Sequence, residues 1–327
     1  MNPFSLLVPA FASRLEGLSW PGSTADHVVF AVLFCALVDF VKLVIELLGR
    51  ADARQFGSDP TQVTAVIACR NGAEVLPGTI AELRRAMPGG PIMVVDDGST
   101  DATAEVARSL GAEVFRFTRS KGKASAINFA IHRVRTPLVL LLDDDTRLGG
   151  ARLPTSLILE GQADAVAFHV LPDRRNRDGA RGNNFLGALQ RYEYGKSMEI
   201  GKRFHDTTQS VSCVSGAVGL FRTADLNALH HRHSCVFQGE DLQRTMIHLL
   251  AGRRIAFADE PVWTVAPSAW DVWLRQRLWG WYPGMYHQFP NMLRLLVAPV
   301  SRWRLRYEML YSVYTVVSDP LKTWSLV

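Results

Sequence analysis

The chain has 327 residues, 48% of them apolar, with 36 Lys and Arg against 31 Asp and Glu for a net charge of +5, and its mean hydropathy is slightly positive. That length suits one sizeable domain with appendages. The basic surplus suits anionic partners, but Lys and Arg are dispersed and no basic patch interleaved with aromatics is present, which sets nucleic acid aside. Cys35, Cys69, Cys213 and Cys235 show neither CxxC nor zinc spacing, so a zinc module or disulfide scaffold is set aside too, and they read as small buried residues in a reducing compartment.

Residues 1–24 form an apolar, lightly charged piece that suits an amphipathic interfacial helix, without the basic region and cleavage site of a signal peptide. Val28 to Leu48 is long enough to span a bilayer at about 1.5 Å per residue and carries Asp39, Lys42 and Glu46 on one helical stripe. The opposite face is continuously apolar, which favours a transmembrane helix with its charged stripe against other helices over a soluble amphipathic one. Arg50 and Arg54 follow it and place the downstream domain on the cytosolic side of an inner or plasma membrane. Self-association through this helix is left open.

Gln62 to Cys69 reads as a first strand, with Arg70 to Glu74 as the turn into a helix over Val75 to Ala86. Pro91 to Asp97 repeats the pattern with an acidic end, Asp96 and Asp97, and a Gly-Ser-Thr-Asp turn that caps a helix from about Ala102. Glu113 to Phe117 is a third strand, followed by Lys121-Gly122-Lys123 at the start of the helix Ala124 to Val134, where the helix N-terminus favours anions. Leu138 to Leu142 is a fully apolar strand that runs into Asp143, Asp144 and Asp145. On a strand Asp143 and Asp145 share a face and Asp144 turns away, and two like charges on one face call for a hard divalent cation. This strand–helix alternation predicts an α/β domain with a mostly parallel sheet whose ligands sit at the carboxyl ends of the strands. No GxGxxG follows the first strand, which counts against a dinucleotide dehydrogenase.

Asn184 to Phe204 is a long helical pattern in which Tyr192 and Tyr194 suit packing as well as a stacking platform for a ligand. His230-His231-Arg232-His233 has no ligand-spaced cysteine or carboxylate and reads as a loop. A helix, Leu242 to Leu250, and a strand, Ile255 to Ala258, come next, then the Trp- and Arg-rich Ala266 to Gly284 and an apolar end whose last stretch, Met309 to Val317, is too short to span a bilayer.

The series Val66 to Asn71, Val94 to Asp101, Lys121 to Asn128, Leu142 to Thr146, Ser215 to Arg222 and Gly239-Glu240-Asp241 resembles the inverting family 2 glycosyltransferases, the group of the cellulose, chitin and hyaluronan synthases, over about residues 62–285. The resemblance implies a GT-A fold for the catalytic domain, 60–265; with the hydropathy reading, residues 1–55 are an interfacial segment and transmembrane helix, and 266–327 are amphipathic interfacial helices and the start of a C-terminal membrane region. It implies a UDP-sugar donor pocket lined by Ala68, Arg70, Asn71, Glu74, Asp96, Asp97, Lys123, Asn128 and Asp144. Asp96 and Asp97 would contact uracil and ribose, and Asp143 and Asp145 would hold Mg²⁺ or Mn²⁺ on the diphosphate. Asp241 would serve as general base, its pKa raised by Glu240. Gln276, Arg277, Trp279 and Trp281 resemble, imperfectly, the family's Gln-Xaa-Xaa-Arg-Trp motif. A frame from Gln276 puts Trp279 and Gly280 where Arg-Trp belong, and a frame from Arg277 recovers only Trp281, which bears on processivity. The acceptor would be a membrane-proximal saccharide or lipid-linked sugar. Rival readings are a polyprenyl-phosphate sugar synthase, which needs no strong base, and a non-catalytic scaffold subunit with a degenerate domain.

Overall fold

The computed structural model describes residues 24–173, 185–234 and 239–324; the expected interfacial helix over residues 1–24 lies almost wholly outside them. One compact unit comprises Glu46–Val316, and a second consists of Met1–Ile45 with Val317–Val327.

Within the larger unit a seven-stranded sheet runs in the order β3-β2-β1-β4-β6-β5-β7. Its strands are β1 (Val63–Cys69), β2 (Ile92–Asp96), β3 (Glu113–Arg116), β4 (Leu138–Leu142), β5 (Ala165–Pro172), β6 (Val218–Arg222) and β7 (Ile255–Thr264). Strands β3, β2, β1 and β4 pair in parallel, as do β5 and β7, and β6 alone runs antiparallel between β4 and β5. The sheet is thus mixed but mostly parallel.

The near-continuous apolar strands follow from burial on both faces. Alternate residues feed two separate cores: Val63, Ala65 and Ile67 of β1 with Leu138, Leu140 and Leu142 of β4 pack on one face, and Val66 with Val139 and Leu141 on the other. Leu140 is fully buried, so Leu140→Ala is expected to destabilise the domain by about 2–5 kcal/mol in denaturant unfolding. The chain leaves β1 toward β2 and β3, then returns to lay β4 on the other side of β1. The order reverses between β1 and β4, the kind of switch point at which open α/β sheets bind ligands in the crevice beyond the carboxyl ends of the strands.

Helix α1 (Thr24–Gly49) contains the stretch expected to cross a bilayer. Among the described residues no helix is long and apolar enough to cross a membrane, and Asp39, Lys42 and Glu46 interrupt this one. Phe30, Leu33, Phe34, Leu37, Phe40 and Leu48 are nonetheless exposed on it.

Helices α2 (Leu76–Ala86), α3 (Thr103–Ser109) and α4 (Lys123–Ile131) start close to where they are expected. The expected 184–204 helix is Phe185–Gly195 (α6, after the short α5, Thr155–Leu159), a π-helical segment Lys196–Lys202 and α7 (Arg203–Asp206). The expected strand at Ile255 runs on to Thr264, through a bulge opposite Phe168/His169 and past Pro261. The His230–Arg232 run is a 3₁₀ turn. After α8 (Thr223–Leu229), α9 (Glu240–Leu250) and α10 (Trp270–Gln276), a second π-helical segment, Arg277–Trp281, leads into α11 (Tyr282–Val297), and α12 (Trp303–Trp324) closes the described chain.

Candidate active site

Every strand that enters the crevice ends in residues that tie its rim together. Cys69, the last residue of β1, donates its thiol to Asp144 Oδ2 at 3.0 Å, and Thr79 of α2 donates to the Asp144 carbonyl at 2.5 Å. A Cβ on Gly72 would collide with Cys69 Sγ and stand 2.6 Å from Asp144 Oδ2, so only glycine permits this approach. Burial, with Asp144 beside it, drives the Cys69 thiol well above its ordinary pKa, and it stays protonated. Strand β4 ends at Leu142, so Asp143 to Asp145 lie in the turn beyond it and not on the strand as expected; the Cys69 contact draws Asp144 against β1, where it holds the rim.

Asn71 adopts a left-handed backbone with φ 53°, and its side-chain oxygen accepts from the Thr100 amide at 2.9 Å, which joins the turns after β1 and β2. Arg70 and Glu74 beside it are exposed and Ala68 is half-buried. Asp96 is fully buried; its Oδ1 accepts from the Ser99 amide at 2.8 Å and its Oδ2 pairs with Arg116 at 3.2 Å. Both oxygens of Asp97 hold the next loop, accepting from Lys121 N at 2.7 Å, Gly122 N at 2.9 Å and Ser120 Oγ at 2.6 Å. A Cβ on Gly98, at φ +70°, would stand 2.7 Å from the Arg119 and Ser120 backbone. Gly98→Ala is expected to displace the Ser120–Gly122 turn and weaken nucleotide binding at least several-fold, measured by titration calorimetry.

Lys123 joins the two acidic clusters. Its ammonium lies 2.5 Å from Asp143 Oδ1 and 2.9 Å from Glu240 Oε1, and donates to the Gly216 carbonyl at 3.2 Å. These contacts commit all three of its protons. Burial opposes its charge, yet Asp143 and Glu240 together keep it firmly protonated. Burial also lifts Asp143 above the ordinary carboxylate range, with Lys123 pulling it back in part. Asn128, expected in the same pocket, instead lines a small separate cavity with Ile131, Leu226, His233, Arg244 and His248.

Glu240 and Asp241 open α9. Gly239, its N-cap, needs φ 89° and packs against Gly284, where an added Cβ would come within 3.1 Å of the Gly284 Cα. Asp241 Oδ2 accepts from the Gly216 amide and Oδ1 from the Leu242 amide, both at 2.8 Å. The two neighbours titrate in opposite directions. Burial pushes Glu240 up, but Lys123 and Arg244 outweigh it and hold the carboxyl at about 2. Burial first, and the Glu240 charge second, raise Asp241 above its ordinary value despite Lys123 and the two amides. A fixed anion thus sits beside a carboxylate with enhanced affinity for a proton.

Asp145 Oδ1 lies 3.5 Å from Thr264 Oγ1 on β7. Asp143 and Asp145 follow one strand end and offer the oxygen donors a hard divalent ion prefers, and Asp143 is paired with the Lys123 ammonium.

Arg277 is buried, with its guanidinium 3.5 Å over the Trp281 ring and 2.5 Å from Glu193. Glu193 neighbours Tyr194, which burial raises and which feels Arg277, Asp145 and Asp143; Tyr192 is exposed. Arg277 also donates to Gln276 Oε1 at 3.1 Å, while Trp279 is 74% exposed. The π turn gathers Arg277 and Trp281, which the sequence spacing alone leaves out of frame. Sequence reasoning missed Gly216, whose amide and carbonyl orient Asp241 and Lys123. It also missed Lys202, buried with its pKa lowered by that burial, and with Cys213 and Asp241 in electrostatic reach.

A family model described as "Glycosyltransferase like family 2" matches residues 60–282. Among curated proteins, the chain is 34% identical over 117 residues to the succinoglycan biosynthesis protein ExoU of Rhizobium meliloti, covering 33% of this chain and 34% of that one. It is 27% identical over 169 residues to a poly-beta-1,6-N-acetyl-D-glucosamine synthase of Staphylococcus epidermidis, covering 50% of this chain and 40% of that one. The chain thus spans less than half the length of these curated relatives. Among solved structures, a Pyrobaculum calidifontis mannosyltransferase in complex with GDP-Man and Mn²⁺ superposes with a TM-score of 0.59 at 15% identity, over 92% of this chain and 84% of that one. The likeness shows a shared α/β GT-A fold.

Proposed function

Because the chain belongs to the family 2 glycosyltransferases, a membership its match over residues 60–282 establishes, we propose that it is an inverting enzyme that moves a sugar from a UDP-linked donor to a hydroxyl of a membrane-proximal saccharide or lipid-linked acceptor. The observation that carries this reading is the pairing at the start of α9. Asp241 is oriented by two backbone amides, raised in proton affinity, and tied through Glu240 and Lys123 to the Asp143 end of β4.

In the proposed reaction the acceptor oxygen attacks the anomeric carbon as its proton passes to Asp241, and the bond from that carbon to the diphosphate oxygen breaks on the opposite face. Asp143 and Asp145 would hold the divalent ion, which neutralises charge on the departing diphosphate. The Gly216 and Leu242 amides fix the Asp241 carboxylate. Asp97 and Asn71 hold the turns that wall the nucleotide pocket. Gly284 seats the start of α11 against Gly239. Exposed Trp270, Val272, Leu274, Leu278, Trp279 and Trp281 on α10 and the π turn suit a membrane interface beside the acceptor side.

Asp241 must be ionised to accept a proton, so its raised pKa places the acidic limb of kcat/KM above the ordinary carboxylate value of about 4. In Glu240→Gln the neighbouring negative charge is gone, Asp241 ionises more readily, and the limb is expected to move to lower pH. A limb that stays in place would remove Glu240 from this role. Full activity of Asp241→Asn with a polyprenyl phosphate acceptor would instead favour transfer to a phosphate, which needs no strong base.

A further inference from the structure

A second cluster shares no residue with the site just described. Glu46 lies in the last turns of α1, His205 in α7 and Glu308 in α12, far apart in sequence. His205 Nε2 stands 3.2 Å from Glu308 Oε2 and 3.7 Å from Glu46 Oε1, and one ligand atom from each of the three lies within 4.8 Å of the others. Their side chains are 2%, 3% and 17% exposed for Glu46, His205 and Glu308.

We propose that Glu46, His205 and Glu308 form a structural site for a divalent transition-metal ion, with Zn²⁺ the best fit. A tetrahedral ion with bonds of about 2.0–2.1 Å separates neighbouring ligand atoms by about 3.3–3.4 Å, and the two spacings around Nε2 bracket that value. One imidazole with two carboxylates is a borderline donor set that suits zinc better than magnesium. Both glutamates have at least one further partner, as carboxylates that ligate metals generally do. Two buried carboxylates turned toward one imidazole nitrogen repel each other and its lone pair. The ion would pin the end of α1 to α7 and α12, the three segments that carry its ligands.

The test uses the purified full chain stripped of metal, without nucleotide, then equilibrated with Zn²⁺ and separated from free ion. Wild type and Asp145→Asn are expected to retain one more zinc per chain than Glu308→Gln and His205→Asn. Zinc is expected to raise the unfolding temperature of the first two only, with affinity lowered at least 100-fold in the other two. Because Asp145→Asn disables the proposed donor site, failure there leaves this site intact and the two readings fall separately. Equal zinc content and equal thermal shifts in all four proteins would overturn the proposal and leave a protonated His205 as the link between the carboxylates. If either variant fails to fold, Co²⁺ in the wild type decides. Intense tetrahedral d–d bands support the site, and weak octahedral bands or none overturn it.

Discussion

Asp241→Asn is expected to slow sugar transfer by about 10²–10⁴-fold, the range general-base catalysis supplies, while leaving the affinity for the nucleotide donor unchanged. Asparagine still accepts from one backbone amide, so the start of α9 keeps its shape, but it cannot take a proton. Single-turnover kinetics with the donor pre-bound isolate the effect: the loss should fall on the transfer step and not on donor binding. A variant that keeps more than about a tenth of the wild-type rate would assign the proton elsewhere, with Lys202 then the buried ionisable group to examine because it lies within electrostatic reach of Asp241.

The second large effect is expected at Lys123. Lys123→Met strips Asp143 and Glu240 of the ammonium between them and leaves like charges facing one another. Removing one partner of a buried pair costs about 3–5 kcal/mol, and the 32% exposure of the Lys123 side chain reduces this to about 1–3 kcal/mol. Transfer should fall with it, since Asp143 and Glu240 lose their common anchor. Adding Glu240→Gln should restore much of the stability, and a double-mutant cycle measures that coupling. Additive losses would mean the bridge carries no coupling. The same pair sets a pH dependence. Glu240, held at about 2, contributes stability that is fully present above its unfolded value of about 4.3 and is lost as pH falls toward 2. Asp241, being raised, has the opposite sign: its ionisation costs stability at neutral pH, and protonation at low pH relieves that cost.

The legible part of the fold is the part where local chemistry and burial coincide. Strands β1, β2 and β4 are uninterrupted apolar runs because both faces are covered, and the ends of β1 and β2 lead into turns whose polar side chains take up backbone amides, as Asn71, Asp96 and Asp97 do. The carboxylates that end these strands were visible for the same reason. Strand β6 was harder to read: it contains Gly219, which looks like a break in a strand but is required because a Cβ there would collide with Val214. The extension of β7 was hidden by Pro261 and a bulge.

The donor-side and base motifs were recognisable, but their connection was not. Lys123 and Glu240 are 117 positions apart, and nothing in either stretch tells that one ammonium serves both. Asn128 shows the converse. Five residues after Lys123 on one helix, it turns to another face and lines a different cavity. Arg277 and Trp281 meet only through a π turn, which a fixed helical period does not anticipate. Glu46, His205 and Glu308 come from three segments whose own patterns reflect helix packing and give no ligand spacing.

The most direct test is release of UDP by the purified protein with a panel of UDP-sugars, a membrane-embedded acceptor, and Mg²⁺ or Mn²⁺. Turnover should be selective for one sugar, should vanish on chelation, and should be lost in both Asp145→Asn and Asp241→Asn while the folded state is retained. Turnover that persists in both variants, or a wild-type protein that binds donors yet turns over none of them, would contradict the assignment of this crevice as an inverting, metal-assisted transfer site.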